Sequence, residues 1–258
     1  MHIKQSLVLP CFHEQGTELA PLLAEAKRIG FVAAEIWHRD DELERTAALI
    51  REHGLVLASM CGHRDWKNGL NLRENHDRIE SELRASIDIA ARLRIPGLVC
   101  FSGMRQPDDV VDTIDNTAAG LRRIAPYAEE KGVNLNLELL NSKVNHVGYE
   151  FDNTAWGVDV CRRVNSPRVK ILYDIYHAQI MEGDVIRTIQ KNIDFIAHMH
   201  TAGNPGRNDL DDQQELNYAG ICRAIAATNY AGYVGHEFFP KANRFAAMRA
   251  AFALCNQS

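Results

Sequence analysis

The feature that most limits what this chain can fold into is a rhythm kept from one end to the other. Short apolar or β-branched runs alternate with longer segments whose apolar residues recur every three to four positions. The short runs predict eight strands, near residues 3–9, 32–37, 55–60, 97–102, 133–139, 169–174, 195–201 and 233–238. The longer segments predict helices over 18–29, 41–53, 75–94, 109–131, 154–164, 184–192, 218–228 and 243–254. Gly30, Gly54 and Gly132 stand just after helical segments, where the backbone often turns to positive φ, and so mark helix ends. Eight strand and helix pairs without a polar linker point to an α/β protein with a closed parallel (βα)8 TIM barrel, not an open doubly wound sheet. A length of 258 residues fits one such barrel, so residues 1–258 are expected to form one domain.

Several function classes are disfavoured. The net charge is −5 and the Lys and Arg residues are scattered, so no basic stripe suits nucleic acid or an anionic membrane. Residues 10–17 contain one glycine, Gly16, and lack the G-x-G-x-x-G of a dinucleotide site. The Gly203-Asn204-Pro205-Gly206-Arg207 stretch lacks the Lys-Ser/Thr ending of a P-loop. Met1-His2-Ile3-Lys4 runs straight into Leu7-Val8-Leu9 without a secretory h-region, and no 18-residue apolar span occurs, so a cytoplasmic protein is expected. The cysteines, at 11, 61, 100, 161, 222 and 255, form no C-x-x-C pair and read as small buried hydrophobes; a nucleophilic Cys61 or Cys100 is the minor alternative. The expected partner is a small molecule, and a homo-oligomer is compatible with the sequence.

The chemistry concentrates near the C-terminal ends of the last four strands: Glu138, Asp174, His200 and Glu237. In a (βα)8 barrel those ends share one rim, the face that carries active sites. The fifth strand places Asn134, Asn136 and Glu138 on one side and leucines on the other, so the polar side should face the barrel interior. Singly, such a carboxylate reads as a helix cap or ion-pair partner and a lone His as a hydrogen-bonded core residue. Together, three crowded carboxylates would repel one another and lose hydration, at several kcal/mol per ion by the usual estimate. One divalent cation removes the difficulty, and an oxygen-rich set with one imidazole suits Mg²⁺ or Mn²⁺, with Co²⁺ or Zn²⁺ tolerated.

The run Asp174-Ile175-Tyr176-His177, continuing through Gly183-Asp184, resembles the hydroxypyruvate isomerase family of xylose isomerase-like barrels. So do Pro205-Gly206-Arg207, Glu215-Leu216-Asn217-Tyr218, and 232–237 with Pro240 behind it. The match covers most of residues 133–240, where it is specific, and rests mainly on the strand and helix rhythm over the first hundred. It implies a metal held by Glu138, Asp174, His200 and Glu237, as in that family and the related ketose 3-epimerases. It implies that Glu138 and Glu237 are the proton-transfer pair, and that His177 and Arg207 contact substrate. The chain departs from the family's pattern at His200, where Gln is usual, at Asn208-Asp209-Leu210 in place of His-Glu-Pro, and at Glu138-Leu139-Leu140-Asn141 in place of Glu-Pro-Leu-Asn. These departures bear on the substrate.

The expected reaction is isomerisation of a small hydroxy-carbonyl compound, of the hydroxypyruvate to tartronate semialdehyde type. A proton leaves one carbon and returns to its neighbour through an enediolate, with a cation as Lewis acid and a carboxylate as base. The alternatives are a ketose or keto-acid 3-epimerase using the same groups, a barrel that binds a sugar acid without turning it over, and a nuclease for abasic DNA. The nuclease reading is weakened by negative net charge and by a fourth strand ending at Phe101-Ser102 without a His. His63, His198, Trp66 and Glu35, also near strand ends, read first as packing or hydrogen-bonding residues; His177 has a similar alternative, and Arg207 could be a surface ion-pair partner.

Overall fold

A computed structural model of the protein describes residues 2–106 and 112–257. Its strands are β1 Lys4–Val8, β2 Ala33–Glu35, β3 Val56–Cys61, β4 Gly97–Cys100, β5 Asn134–Glu138, β6 Val169–Asp174, β7 Ile196–Thr201 and β8 Tyr233–His236. All pair in parallel with their sequence neighbours, and β8 returns to β1, which closes the barrel in the order β1 to β8. The α-helices in chain order are α1 Leu9–Phe12, α2 Ala20–Ile29, α3 Leu43–Glu52, α4 His76–Leu93, α5 Thr113–Lys131, α6 Thr154–Val164, α7 Ile175–Met181, α8 Val185–Asn192, α9 Tyr218–Ala226 and α10 Arg244–Cys255.

The eight expected strands are present, most trimmed by a residue or two at their ends. Each is covered by helices outside and filled inside, which is why they read as near-continuous apolar runs. Leu135 and Leu137 on β5 are fully buried, and Asn136 and Glu138 are buried too. Helix starts follow short polar caps. Asp112, Asn153, Asn217 and Asn243 each accept a backbone N–H at the start of α5, α6, α9 and α10. Gly30, Gly54 and Gly132 have φ of 123°, 69° and 72°, the conformation a helix end asks of glycine.

Two elements differ from the sequence reading. Helices α1 and α7 begin directly at the ends of β1 and β6, inside loops that carry no helical period long enough to detect. Helix α7 is nucleated by Asp174, whose Oδ1 accepts the N–H of His177 at 3.0 Å. The expected helix over 109–131 is described from Thr113; its positions 109–111 lie outside the described residues.

Candidate active site

Glu138 ends β5, Asp174 ends β6, His200 is the next-to-last residue of β7, and Glu237 immediately follows β8. Parallel pairing sets Asp174 beside His200 and His200 beside Gly235, so the four side chains converge on one rim. One ligand atom from each lies within 4.8 Å of the others, and all four residues are buried. His200 Nδ1 is 3.6 Å from Glu138 Oε1 and 3.4 Å from Glu237 Oε2, and it is buried without a hydrogen-bond partner among the described residues. Its other nitrogen, Nε2, meets Glu35 Oε2 at 3.1 Å.

Two more residues pin Glu237. Trp37 Nε1 donates to Oε1 at 2.7 Å, and Arg207 Nη2 donates to Oε2 at 2.5 Å. Arg207 sits at φ 57° in the loop after β7, with its guanidinium 5.8 Å from the ring centre of Tyr176. It is not a surface ion-pair partner but a charge turned into the site. His177, on α7, is fully buried behind Asp174. Asn141 Nδ2 donates to its Nδ1 at 2.5 Å, which leaves its Nε2 facing Asp174 Oδ2 at 3.7 Å.

Electrostatics separates the carboxylates. Burial pushes Asp174 up to about 7, with Glu237 and Glu138 adding to the shift and Arg207 and His200 opposing it. Glu138 is raised as well, because burial and Glu237 outweigh its contacts with His200 and Arg207. For Glu237 burial also raises, but Arg207, His200 and the Trp37 bond prevail and hold it well below the usual carboxylate range. Burial opposes charge on Arg207, yet Glu237, Asp174 and Glu138 hold its pKa above the ordinary value. The protein's own cations thus stabilise one carboxylate of three and leave two under-compensated. That imbalance, the unpartnered His200 Nδ1 and a donor set of three carboxylates with one imidazole all fit a divalent cation.

The cluster opens into a cavity of about 280 Å³ lined by Trp37, Trp66, His146, Glu138, His200, Arg207 and Glu237 among others. A broader groove of about 930 Å³ runs alongside, between the segments after β1 and β2, but none of the four clustered residues lines it. His146 carries no signal in the sequence, since it lies eight residues past β5 in an irregular loop. Both its ring nitrogens are buried without partners among the described residues, and its ring meets Trp66 edge-on at 4.9 Å. Burial, helped by Arg207, lowers its pKa to about 4, so the imidazole is neutral. Trp37 and Trp66 occupy the rim positions after β2 and β3; those positions are the only sequence signal for their place in the cavity. Arg64 lines the cavity from its exposed side. The thiols are inert: burial pushes Cys100 up to about 12 and raises Cys61 further, leaving neither as a thiolate.

A family model described as a xylose isomerase-like TIM barrel matches residues 23–256. The chain belongs to this family. A 2-oxo-tetronate isomerase from Pectobacterium atrosepticum is 28% identical over 64% of each chain, so that alignment spans just under two thirds of the relative's length. A putative hydroxypyruvate isomerase from Drosophila melanogaster is 25% identical over 89% of each. A D-psicose 3-epimerase from Agrobacterium fabrum is 25% identical over 89% of this chain and 82% of its own. The relatives named here are described as isomerases or epimerases.

Proposed function

We propose that the enzyme isomerises a small α-hydroxy carbonyl compound, of the hydroxypyruvate to tartronate semialdehyde type. Glu138, Asp174, His200 and Glu237 would hold one divalent ion, Mg²⁺ or Mn²⁺ by donor type, with Co²⁺ or Zn²⁺ tolerated. The observation that carries this reading is the approach of two glutamates from different strands to the free Nδ1 of His200, at 3.6 and 3.4 Å, within one cavity of about 280 Å³. When bound, such a cation supplies Lewis acidity, which makes the C–H beside the substrate carbonyl easier to deprotonate.

The chain's own groups divide the remaining work. Glu237, whose pKa Arg207 holds down, takes the proton; Glu138, on the other side of the imidazole, gives one back to the neighbouring carbon, and proton exchange with solvent resets the pair. His146, neutral and with both nitrogens free, donates to one substrate oxygen and accepts from a hydroxyl. Arg207 and Arg64 bring positive charge to the cavity and favour an acid substrate over a neutral sugar. Trp37 and Trp66 wall the cavity and limit water. His177, outside the cavity lining, faces Asp174 and would act on substrate only indirectly, by orienting that carboxylate.

Similarity to a D-psicose 3-epimerase over 82% of that protein favours one second reading, 3-epimerisation of a ketose or keto acid. It uses the same glutamates but returns the proton to the opposite face of the same carbon. The test is NMR analysis of products after incubating the Mn²⁺- or Mg²⁺-supplemented enzyme with hydroxypyruvate, four-carbon 2-oxo acids and five- and six-carbon ketoses. Isomerisation of an acid is expected. Epimerisation alone would establish the second reading, and metal binding without turnover of any compound would leave a sugar-acid-binding barrel in place of both.

A further inference from the structure

Beneath the four clustered residues lies a second polar group that the proposed reaction does not use. Glu35, the last residue of β2, is buried, and its carboxylate accepts from Ser6 Oγ, from His198 Nε2 at 2.9 Å and from His200 Nε2 at 3.1 Å. The three donors come from β1 and β7, so Glu35 reaches across the barrel interior to meet them. A carboxylate can only accept, so each of these imidazole nitrogens carries its proton toward Glu35. For His200 this fixes the ring: Nε2–H points down to Glu35, and Nδ1 faces up toward Glu138 and Glu237, where its lone pair would meet a cation once Nδ1 has given up its proton.

The backbone is cut to allow it. A Cβ on Gly235, in β8, would lie 2.3 Å from Glu35 Oε1 and 2.9 Å from His200 Cδ2. Real Cβ atoms essentially never come that close, so a side chain at 235 would push Glu35 off the imidazole. Register places Gly235 beside Ser6 on one side and His200 on the other, which makes it the floor of the notch that Glu35 fills.

We propose that Glu35 is a positioning residue for the cation site. It sets the rotation and tautomer of His200 so that Nδ1 is the ligating nitrogen, and Gly235 is the notch that makes this possible. The inference rests on the reading that Glu138, Asp174, His200 and Glu237 bind a divalent ion. Orienting carboxylates of this kind typically change metal affinity about 10- to 100-fold.

The experiment titrates metal-free wild type, Glu35→Gln and Gly235→Ala with Mn²⁺ by calorimetry and with Co²⁺ by visible absorption, alongside thermal unfolding of each metal-free protein. The Gln side chain keeps the size of Glu35 but cannot accept as an anion from two imidazoles; the Ala side chain leaves every ligand unchanged. Expected are Mn²⁺ affinities about 10- to 100-fold weaker in both variants, and a Co²⁺ band that shifts or loses intensity because the nitrogen ligand is misaligned. A folded Glu35→Gln with wild-type affinity and an unchanged Co²⁺ band overturns the proposal; if that variant does not fold, the same two readings on Gly235→Ala decide in its place. Two Mn²⁺ equivalents in the wild type would also overturn it, because Glu35, His198 and His200 would then be ligands of a second ion. If the wild type itself binds no ion, it is the metal-site reading that fails, an outcome distinct from a wild type that binds tightly while Glu35→Gln binds as well.

Discussion

At the scale of single residues the site is organised by contrast. Glu138 and Glu237 face the same imidazole, but Arg207 and Trp37 hydrogen-bond only Glu237, so the pKa of one carboxylate is held down while burial raises that of the other. Glu138→Gln and Glu237→Gln should each lose about 10²- to 10⁴-fold in kcat while remaining folded. In D₂O the two should differ. Glu138→Gln, with the base intact, should still wash deuterium into the reacting carbon while forming little product, whereas Glu237→Gln should do neither. Near wild-type kcat in both variants would remove the two-glutamate mechanism. Arg207→Ala should weaken a carboxylate-bearing substrate by about 1.5–3 kcal/mol, tenfold or more in KM, and a neutral ketose much less. Equal losses for acid and ketose would reduce Arg207 to a support for Glu237.

At the scale of elements, the four clustered residues and Glu35 sit at or next to strand ends, and that explains what the sequence discloses. The alternation of strands and helices, and the carboxylates at the ends of β5, β6 and β8, are local patterns, so they are legible. Glu35, also at a strand end, reads from sequence as a hydrogen-bonding residue, and three accepted hydrogen bonds agree with that reading. Its orientation of His200 depends on β1, β2, β7 and β8 meeting across the barrel, a contact spanning 165 residues that no local pattern encodes. His146 is hidden for a related reason: its loop has no period, and only folding brings the ring against Trp66 and leaves both nitrogens bare. The short helix α7 escapes the sequence reading because it is started by a side chain, Asp174, and not by an apolar repeat. Since Asp174 both caps α7 and belongs to the cluster, its two roles can be separated in the metal-free protein. Asp174→Asn keeps a capping oxygen and Asp174→Ala does not, so Ala should be less stable than Asn by about 1 kcal/mol in denaturant unfolding. Equal stabilities would show that the cap contributes nothing to α7.

At the scale of the whole molecule, the barrel buries several imidazoles in neutral form. His236 donates from Nε2 to Gln5 Oε1 and accepts at Nδ1 from Thr201 Oγ1 inside the wall, and burial lowers its pKa to about 3; His63, which accepts the Phe101 N–H, is lowered to about 4, again chiefly by burial. The ordinary value for both is 6.5, so between that pH and the folded value the unfolded chain binds more protons than the folded one. These two groups therefore make stability rise with pH across this window and fall as pH drops from about 6.5 toward 3–4, by about 1.4 kcal/mol for each pH unit separating the two states of a group, while Asp174, raised to about 7, contributes the opposite slope. The metal-free enzyme should show this slope in urea unfolding, and His63→Gln should make it shallower. A slope that His63→Gln leaves unchanged would place the acid sensitivity elsewhere.

The proposed joint action of Glu138, Asp174, His200 and Glu237 on one divalent ion can be read from elemental analysis after exhaustive dialysis of Mn²⁺-loaded protein. Wild type should retain about one equivalent per chain, and Asp174→Ala, still folded, close to none; equal retention by the two proteins would contradict the claim.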